Sequence, residues 1–421
     1  MTQKHILATN IIARIGREST FGTTSTHMIR IVLNGVQNPL GESKREMLAN
    51  NDSSPYQHDF KSPTQGLQMG SPLKCNVSLK RLAARLDASA SSSAYPAVDG
   101  ASALSHQILF DHWLGGSRVD RGSTVAASPS PAAGGFTVGS GHGTRFAKGG
   151  IIIVNGLPRV VTGISGDALT IRPDLPSAPS AGDAVLNTFS FYRAESHEQT
   201  LTFETAFAET NTPETQRRGR GCYGQCAWTA EVGKVPTIAF EGVSTAHDGP
   251  GDLSITVADA ADDMGAPIRW DGIAYLFDGT SAPSAAVVES SKITVPNKWA
   301  TPRCGSGTET VNGAVMVGGR EGHIKIELLV RHDAGEHTHY AAGDVRDLLL
   351  YTQVGSGSAQ RFDGWYFPRV EVVEEPVNET KDNLVYTKLS LVAHPNTTIA
   401  GSPLGSTSTD LERSPCVLFL G

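Results

Sequence analysis

The chain has 421 residues, enough for two or three domains, with 18% charged and 7% aromatic residues but 45 glycines and 23 prolines. Short strands joined by turns and loops fit that balance; long solvated helices do not. A formal charge of −7 argues against a dedicated nucleic-acid binder, which carries a basic excess, and five cysteines at irregular spacings make no disulfide framework.

From the N-terminus, residues 1–27 read as an arm with no apolar core of signal-peptide length before Arg14. Nowhere does an apolar run approach the roughly 18 residues that span a bilayer. The reading is a soluble protein of a reducing cytoplasm with no membrane contact. Period-2 alternation then predicts strands over MIRIVLNGV (28–36), ending in an Asn-Gly turn, and over LKCNVSLKRL (73–82). ALSHQILFDHWL (103–114) has a polar start, apolar residues at i, i+3, i+4 spacing and glycines behind it, so a helix is expected there. Residues 116–135 are Ser/Pro/Gly-rich, and 149–173 read as strands of a small inserted β-unit. More strands are expected at 200–209, 323–330, 365–375 and 384–393, and a second helix over AGDVRDLLLYTQ (342–353). An acidic connector covers 247–266, a second Ser/Pro/Gly-rich stretch covers 395–415, and 397–421 is read as a C-terminal tail.

These elements form a faint internal repeat. Ile29–Gly35 (IRIVLNG) aligns with IAYLFDG (273–279), and LKCNV (73–77) with IKIEL (324–328). The two helices follow. WYFPRVE (365–371) then matches RGRGCYGQCAWTAEVGK, and YTKLSL (386–391) matches TIAFEG (237–242). The first copy carries about 100 additional residues between helix and closing hairpin. The implied division is 28–116 with 191–246 as the first repeat unit, 117–190 as an inserted loop and β-unit, 247–266 as linker, and 267–396 as the second.

Several groups invite chemistry. Cys222 and Cys226 lie in a C-x3-C arrangement without the further pair a zinc site needs, and without the βαβ context of a redox motif. On a strand, residues 222, 224, 226 and 228 share one small-and-aromatic face, so packing is the expected role. His332, Asp333, Glu336, His337 and His339 are close in sequence, but their spacing is not a helical zinc motif, and a polar loop is expected. GSGHGTRFAKGG (139–150) fails as a phosphate loop because Lys148 is followed by Gly-Gly and a strand, not a helix. The run Gln216–Arg220 could touch phosphate, but a solvated loop or a contact with an acidic partner subunit is expected at least as much. No G-x-S-x-G or H-E-x-x-H occurs, and Asp262-Asp263 and Glu374-Glu375 have nothing to set their protonation apart. The residues thus nominate no catalytic, cofactor or metal site.

Glu18-Ser-Thr-Phe-Gly-Thr-Thr24, helix 103–114, LTFETAF (201–207) and the hairpin RGCYGQCAWTAEVGKVPTIAFEGVS together resemble, in their order, the tail tube proteins of long-tailed bacteriophages. That resemblance implies a mainly β fold with few helices: two tandem tail-tube β-sandwich or barrel-forming domains, each with one packed helix, plus a small inserted β-unit in the first. It implies a non-enzymatic virion protein whose sheets join edge to edge around a lumen that conducts DNA. Three duplicated chains would make a pseudo-sixfold ring, assembled in the host cytoplasm. Its partners would be further copies of itself, other tail proteins (tape measure, terminator and distal tail) and passing duplex without specific binding, with no cofactor. The long loop 36–72 would pack on the next ring, the inserted unit would lie outside, and acids such as Glu231 and Glu371 would face the lumen. The alternative is a β-rich receptor- or glycan-binding surface or tail protein.

Overall fold

The computed structural model describes residues 11–25, 28–31, 33, 40, 71–78, 105–120, 122–186, 188–208, 213–251, 253, 269–277, 285–300, 314–317, 323–331, 335–355, 360–396 and 409–421. The Asn34-Gly35 and Asp278-Gly279 turns, the loop 36–72 apart from Leu40 and Ser71-Pro72, most of the linker, Asp262-Asp263, His332 and Asp333 lie outside them.

The first part of the chain forms β1 (Ile11–Arg17), β2 (Ile29–Ile31), β3 (Ser71–Ser78), α1 (Ser105–Leu114) and β4 (Gly115–Asp120). The insert follows as β5 (Ser123–Thr124), β6 (Gly135–Thr137), β7 (Ile151–Val154), β8 (Leu157–Ser165), β9 (Ala168–Arg172) and β10 (Ala184–Leu186). The chain returns through β11 (Thr188–Arg193) and β12 (Ser196–His197) to β13 (Leu201–Ala208), β14 (Pro213–Glu231), β15 (Thr237–Ser244) and β16 (Ala246–Gly251). The remainder is β17 (Gly272–Phe277), β18 (Ala286–Val295), β19 (Lys298–Ala300), β20 (Val315–Val317), β21 (Ile324–Arg331), α2 (Gly335–Ala342), β22 (Val345–Val354), β23 (Arg361–Val372), β24 (Val377–Lys381), β25 (Leu384–Ala393), α3 (Asp410–Arg413) and β26 (Val417–Leu420).

Seventeen strands make one curled half-barrel sheet, and β5–β10 close into a separate six-stranded barrel, its ends joined by a Val125–Val138 bridge. Within the large sheet one pairing order occurs twice. The order β1–β13–β14–β15–β3 is matched, element for element along the chain, by β17–β22–β23–β25–β21. The helix falls at the same step in both, after β3 and after β21, and β2 pairs with β1 as β18 pairs with β17. The first strand of each series differs from the sequence alignment. β1, from the segment expected as an arm, corresponds to β17, which had been matched to residues 29–35.

The two series share one core. Trp113 and Leu109 of α1 pack with Trp228, Ile238 and Phe240 of the first series and with Ile293, Ile326, Leu350 and Trp365 of the second. Trp113 meets Trp365 edge-on at 5.4 Å and donates its Nε1–H to the Val295 carbonyl at 3.2 Å, so the buried indole leaves no donor unsatisfied.

The expected helix over 342–353 is not formed. Residues 345–354 are strand β22, and the helix is α2, one step earlier, over GEHTHYAA. The run Leu348–Tyr351 is buried on both faces. Leu348 and Leu350 enter the shared core, while Leu349 and Tyr351 face Ile151, Ile153 and Val160 of the barrel. A strand covered on both sides shows no alternation, and its continuous apolar run is indistinguishable from a buried helix by period. IIIV of β7 has the same property, with Ile152 and Val154 lining the barrel interior. The C-terminal segment also departs from expectation. VLFL (417–420) inserts between β11 and β23 as a buried strand.

Candidate functional site

The barrel is held to the second series by polar pins as well as apolar contact. Arg172 of β9 reaches Asp347 of β22 at 3.3 Å, and Tyr366 donates to the same carboxylate at 3.0 Å. Arg172 also lies over the Phe277 ring and Arg159 over Tyr275.

On the other side of the core lies a curved run of seven strands, β3–β15–β14–β18–β21–β25–β24, in which the two series meet through β14 and β18. One register row crosses six of them: Val77, Ile238, Trp228, Ile293, Ile326 and Leu391. From Ile238 to Leu391 this row is buried. The next row, Thr237, Thr229, Lys292, Glu327 and Ser390, points to the opposite side and is polar. Lys292 and Glu327 approach to 3.8 Å across strands, and Ser390 donates to Glu374 at 2.6 Å. An exposed pair of this kind contributes under about 1 kcal/mol, so these charges shape a surface more than they hold the fold. Glu231 and Glu371 both belong to this polar face by register, opposite Ser290 and Val392. A hydrogen bond from Lys234 holds the Glu231 carboxyl below the usual range.

β14 organises this surface. Its 19 residues serve two sets of neighbours: Pro213–Cys222 pair with β13, and Gln216–Arg220 also pair with β16. Beyond them, Tyr223–Thr229 pair with β15 and Cys226–Glu231 with β18. The switch occurs at Gly221, whose φ of +58° suits a residue without a Cβ. The N-terminal motif fastens this point. The Glu18 carboxylate, only 6% exposed, accepts from Gly221 N at 2.8 Å, Gly22 N at 2.9 Å, Thr200 Oγ1 at 2.7 Å and Thr202 Oγ1 at 3.0 Å. Arg220 Nη1 donates to the Gly22 carbonyl at 2.9 Å. The segment ESTFGTT is thus a staple between the end of β1 and the bend in β14.

Cys222 and Cys226 lie on the buried face with Gly224 and Trp228, as the alternation predicts. Burial pushes the Cys222 thiol well above its usual range. The basic run is not a loop. It is mid-strand, and its charges are used inside the chain. Arg218 pairs with buried Glu204 at 2.6 Å and Arg220 with Asp248 at 3.0 Å.

The expected polar loop around His337 is a helix, and its side chains diverge. Glu336 forms a buried bidentate pair with Arg346 at 2.6 and 3.0 Å, while His339 turns to Asp344 at 2.8 Å. Among the described residues no group of three or more His, Cys, Asp or Glu is placed to hold a metal ion. In the glycine loop the amides of Gly141 and Gly143 donate to Asp167 at 2.9 and 2.8 Å, so a carboxylate of the protein occupies the place a phosphate would take. Ser123 Oγ meets His142 Nδ1 at 2.8 Å nearby, but it also accepts from Gly139 N, and Asp167 is engaged with backbone. No described helix is long and apolar enough to cross a membrane.

No family model matches the chain. No curated protein matches it either. The surface is therefore read from its own geometry. Two features of the fold left no signal in the sequence, one on this surface and one in the core. Lys381, at the end of β24, reaches Glu289 at 2.6 Å and Glu231 at 3.5 Å, which brings the β24–β25 turn beside the β14–β18 junction. His112 of α1, fully buried, stacks on Trp299 at 4.9 Å and donates from Nδ1 to the Gln199 carbonyl at 2.8 Å, with His197 edge-on at 6.0 Å. Burial lowers the two imidazole pKa values to about 3 and about 4, so both are neutral. Each pair is separated widely in sequence, and only the folded chain brings its members together.

Proposed function

We propose that this chain is a structural subunit of a tube, of the kind that forms phage tails, and that it acts by self-assembly without cofactor or chemistry. One observation carries the reading. Two copies of a single strand-pairing order, each with a helix at the same step, are fused through β14 and β18 into one curved sheet with a buried inner face and a polar outer face. A chain that joins two like units edge to edge already contains one junction of a ring. Three such chains close a pseudo-sixfold ring, and closure covers edges that would otherwise invite aggregation. Stacked rings then enclose a lumen lined by the polar face, where acidic and basic residues alternate and set up no strongly basic field to hold DNA. The barrel docks on β22 and β23 from the side opposite that face, consistent with an external position.

In this role the chain works in the virion with other tail proteins and with passing duplex. Negative-stain microscopy of the purified protein tests the reading. Rings or hollow tubes with a lumen wide enough for a duplex are expected. A monodisperse monomer that never polymerises and binds glycan or receptor instead would overturn it.

A further inference from the structure

We propose that the outer edge of β24 receives a second copy of this chain, which pairs with it in the way that β18 pairs with β14 inside the chain. The inference rests on the tube-subunit reading for closure into a ring, and on the pairing pattern for the edge itself.

The register of the two series defines equivalent positions. Thr237 of β15 sits opposite Ser78, the last residue of β3, and Tyr386 of β25 sits opposite Arg331, the last residue of β21. Thr229 is then the hairpin partner of Thr237 as Glu379 is of Tyr386. Ala227–Glu231 of β14 and Val377–Lys381 of β24 therefore occupy the same place in the two series. In the first, Ser290–Thr294 of β18 cover that place. In the second, among the described strands, β24 pairs with β25 alone.

Exposure follows this difference. Trp228 and Ala230, on the covered edge, are each 2% exposed, whereas Asn378 and Thr380 at the equivalent places are exposed; Val377 is 56% exposed where its counterpart Ala227 is half-buried. Pro376 precedes β24, Glu379 and Lys381 lie in it, and Lys381 is turned to Glu289 and Glu231; exposed Val377, with Leu384 and Val385 across the hairpin, gives the edge an aliphatic side as well. The opposite end of the sheet is complementary. β21 has β18 on its far side, while β3 pairs with β15 alone among the described strands. Among the described strands, one end thus offers an edge and the other has a side without a paired neighbour. That is a head-to-tail contact, which propagates into a ring or an open filament, not a symmetric dimer.

The test places the photo-crosslinking residue p-benzoylphenylalanine at Val377 in the full chain and maps cross-linked peptides after assembly. The expected product joins Val377 to a peptide of another chain that carries β2 or β3. Thr380→Pro, which removes an outward-pointing edge donor, and Val377→Lys, which adds charge there without touching the core, should each raise the concentration for assembly at least tenfold while the melting temperature is kept. Cross-links confined to one chain, a Val377–Val377 product, or no association by light scattering would each overturn the proposal. Rings whose cross-links fall elsewhere would remove the β24 edge and leave the tube reading intact. Chains joined from β24 to β3 without a lumen would do the reverse.

Discussion

Glu18 and Gly221 lie 203 residues apart and are joined by a 2.8 Å hydrogen bond from the Gly221 amide to the Glu18 carboxylate. Three further donors converge on the same buried group, so removing it strands all of them. Leaving buried donors unpaired costs about 1–3 kcal/mol each before relaxation. Glu18→Ala is expected to lower stability by about 3 kcal/mol. Glu18→Gln should lose less, because its amide oxygen still accepts. Urea unfolding of both variants measures this, and an unchanged midpoint for the alanine variant would contradict the staple.

The His112–His197 pair makes the fold acid-sensitive. Burial lowers the two pKa values to about 3 and about 4, against about 6.5 in the unfolded chain. Between pH 6.5 and 4 the unfolded state binds protons that the folded state refuses. Stability from this pair is therefore complete above pH 6.5 and falls as pH drops, by on the order of 3 kcal/mol for each imidazole at pH 4. His112→Phe keeps a ring on Trp299 and removes one of these protons. It should be less stable at pH 7 and show a flatter stability–pH slope; an unaltered slope would refute the assignment.

Asp120 acts in the opposite sense. It is fully buried beneath the barrel loop, and burial raises its pKa to about 6 against the charge and hydrogen bond of Arg118. Above pH 6 the fold carries a desolvated carboxylate, and that cost disappears as the group takes up a proton between pH 6 and 4. This contribution makes the protein more stable on acidification, by about 2 kcal/mol. Asp120→Asn should consequently lose stability more steeply than the parent chain from pH 6.5 to 4. Denaturant titrations at four or five pH values decide the point.

Asp347 pins the barrel. Asp347→Ala leaves Arg172 and Tyr366 without their shared carboxylate, and breaking such a buried pair costs about 3–5 kcal/mol. Limited proteolysis should cut faster near residues 121 and 187 and release an intact barrel fragment. Equal cutting rates in variant and parent would mean that the apolar contact alone holds the barrel.

Cys222, Cys226 and Cys416 are buried thiols outside any disulfide, and burial raises the Cys416 pKa to about 12. Alkylation under native conditions should leave these three unmodified, and chelator should not shift the melting temperature. Labelling at Cys222, or a chelator-induced shift, would restore a chemical role to this strand or to the helix carrying His337 and His339.

Much of this was legible in the chain because alternation survives wherever a strand has one wet face. The buried positions of β14, β15, β21 and β25 follow their patterns, and α1 declared itself by spacing and by the glycines behind it. The repeat was visible for the same reason, with YTKLSL matched to TIAFEG in the register that β25 and β15 adopt. What escaped was of two kinds. β22 and β7 are covered on both sides, so their sequences carry no period to read. The staple at Glu18, the paired imidazoles and the Lys381 bridge are contacts between distant segments, and a polar residue's partner is written in the fold rather than beside it in the chain. The basic run misled because arginine spacing does not say whether a carboxylate already waits across the sheet, as Glu204 does for Arg218.

The divided service of β14 has a further consequence. Because β18 completes the edge of a strand that begins in the first series, neither half of the chain is a finished folding unit. A cut in the 247–266 connector would produce two fragments, each holding one strand of the β14–β18 pair. Expressed together they should recognise one another and rebuild the sheet, so the protein behaves as a naturally splittable pair whose halves are each other's chaperone.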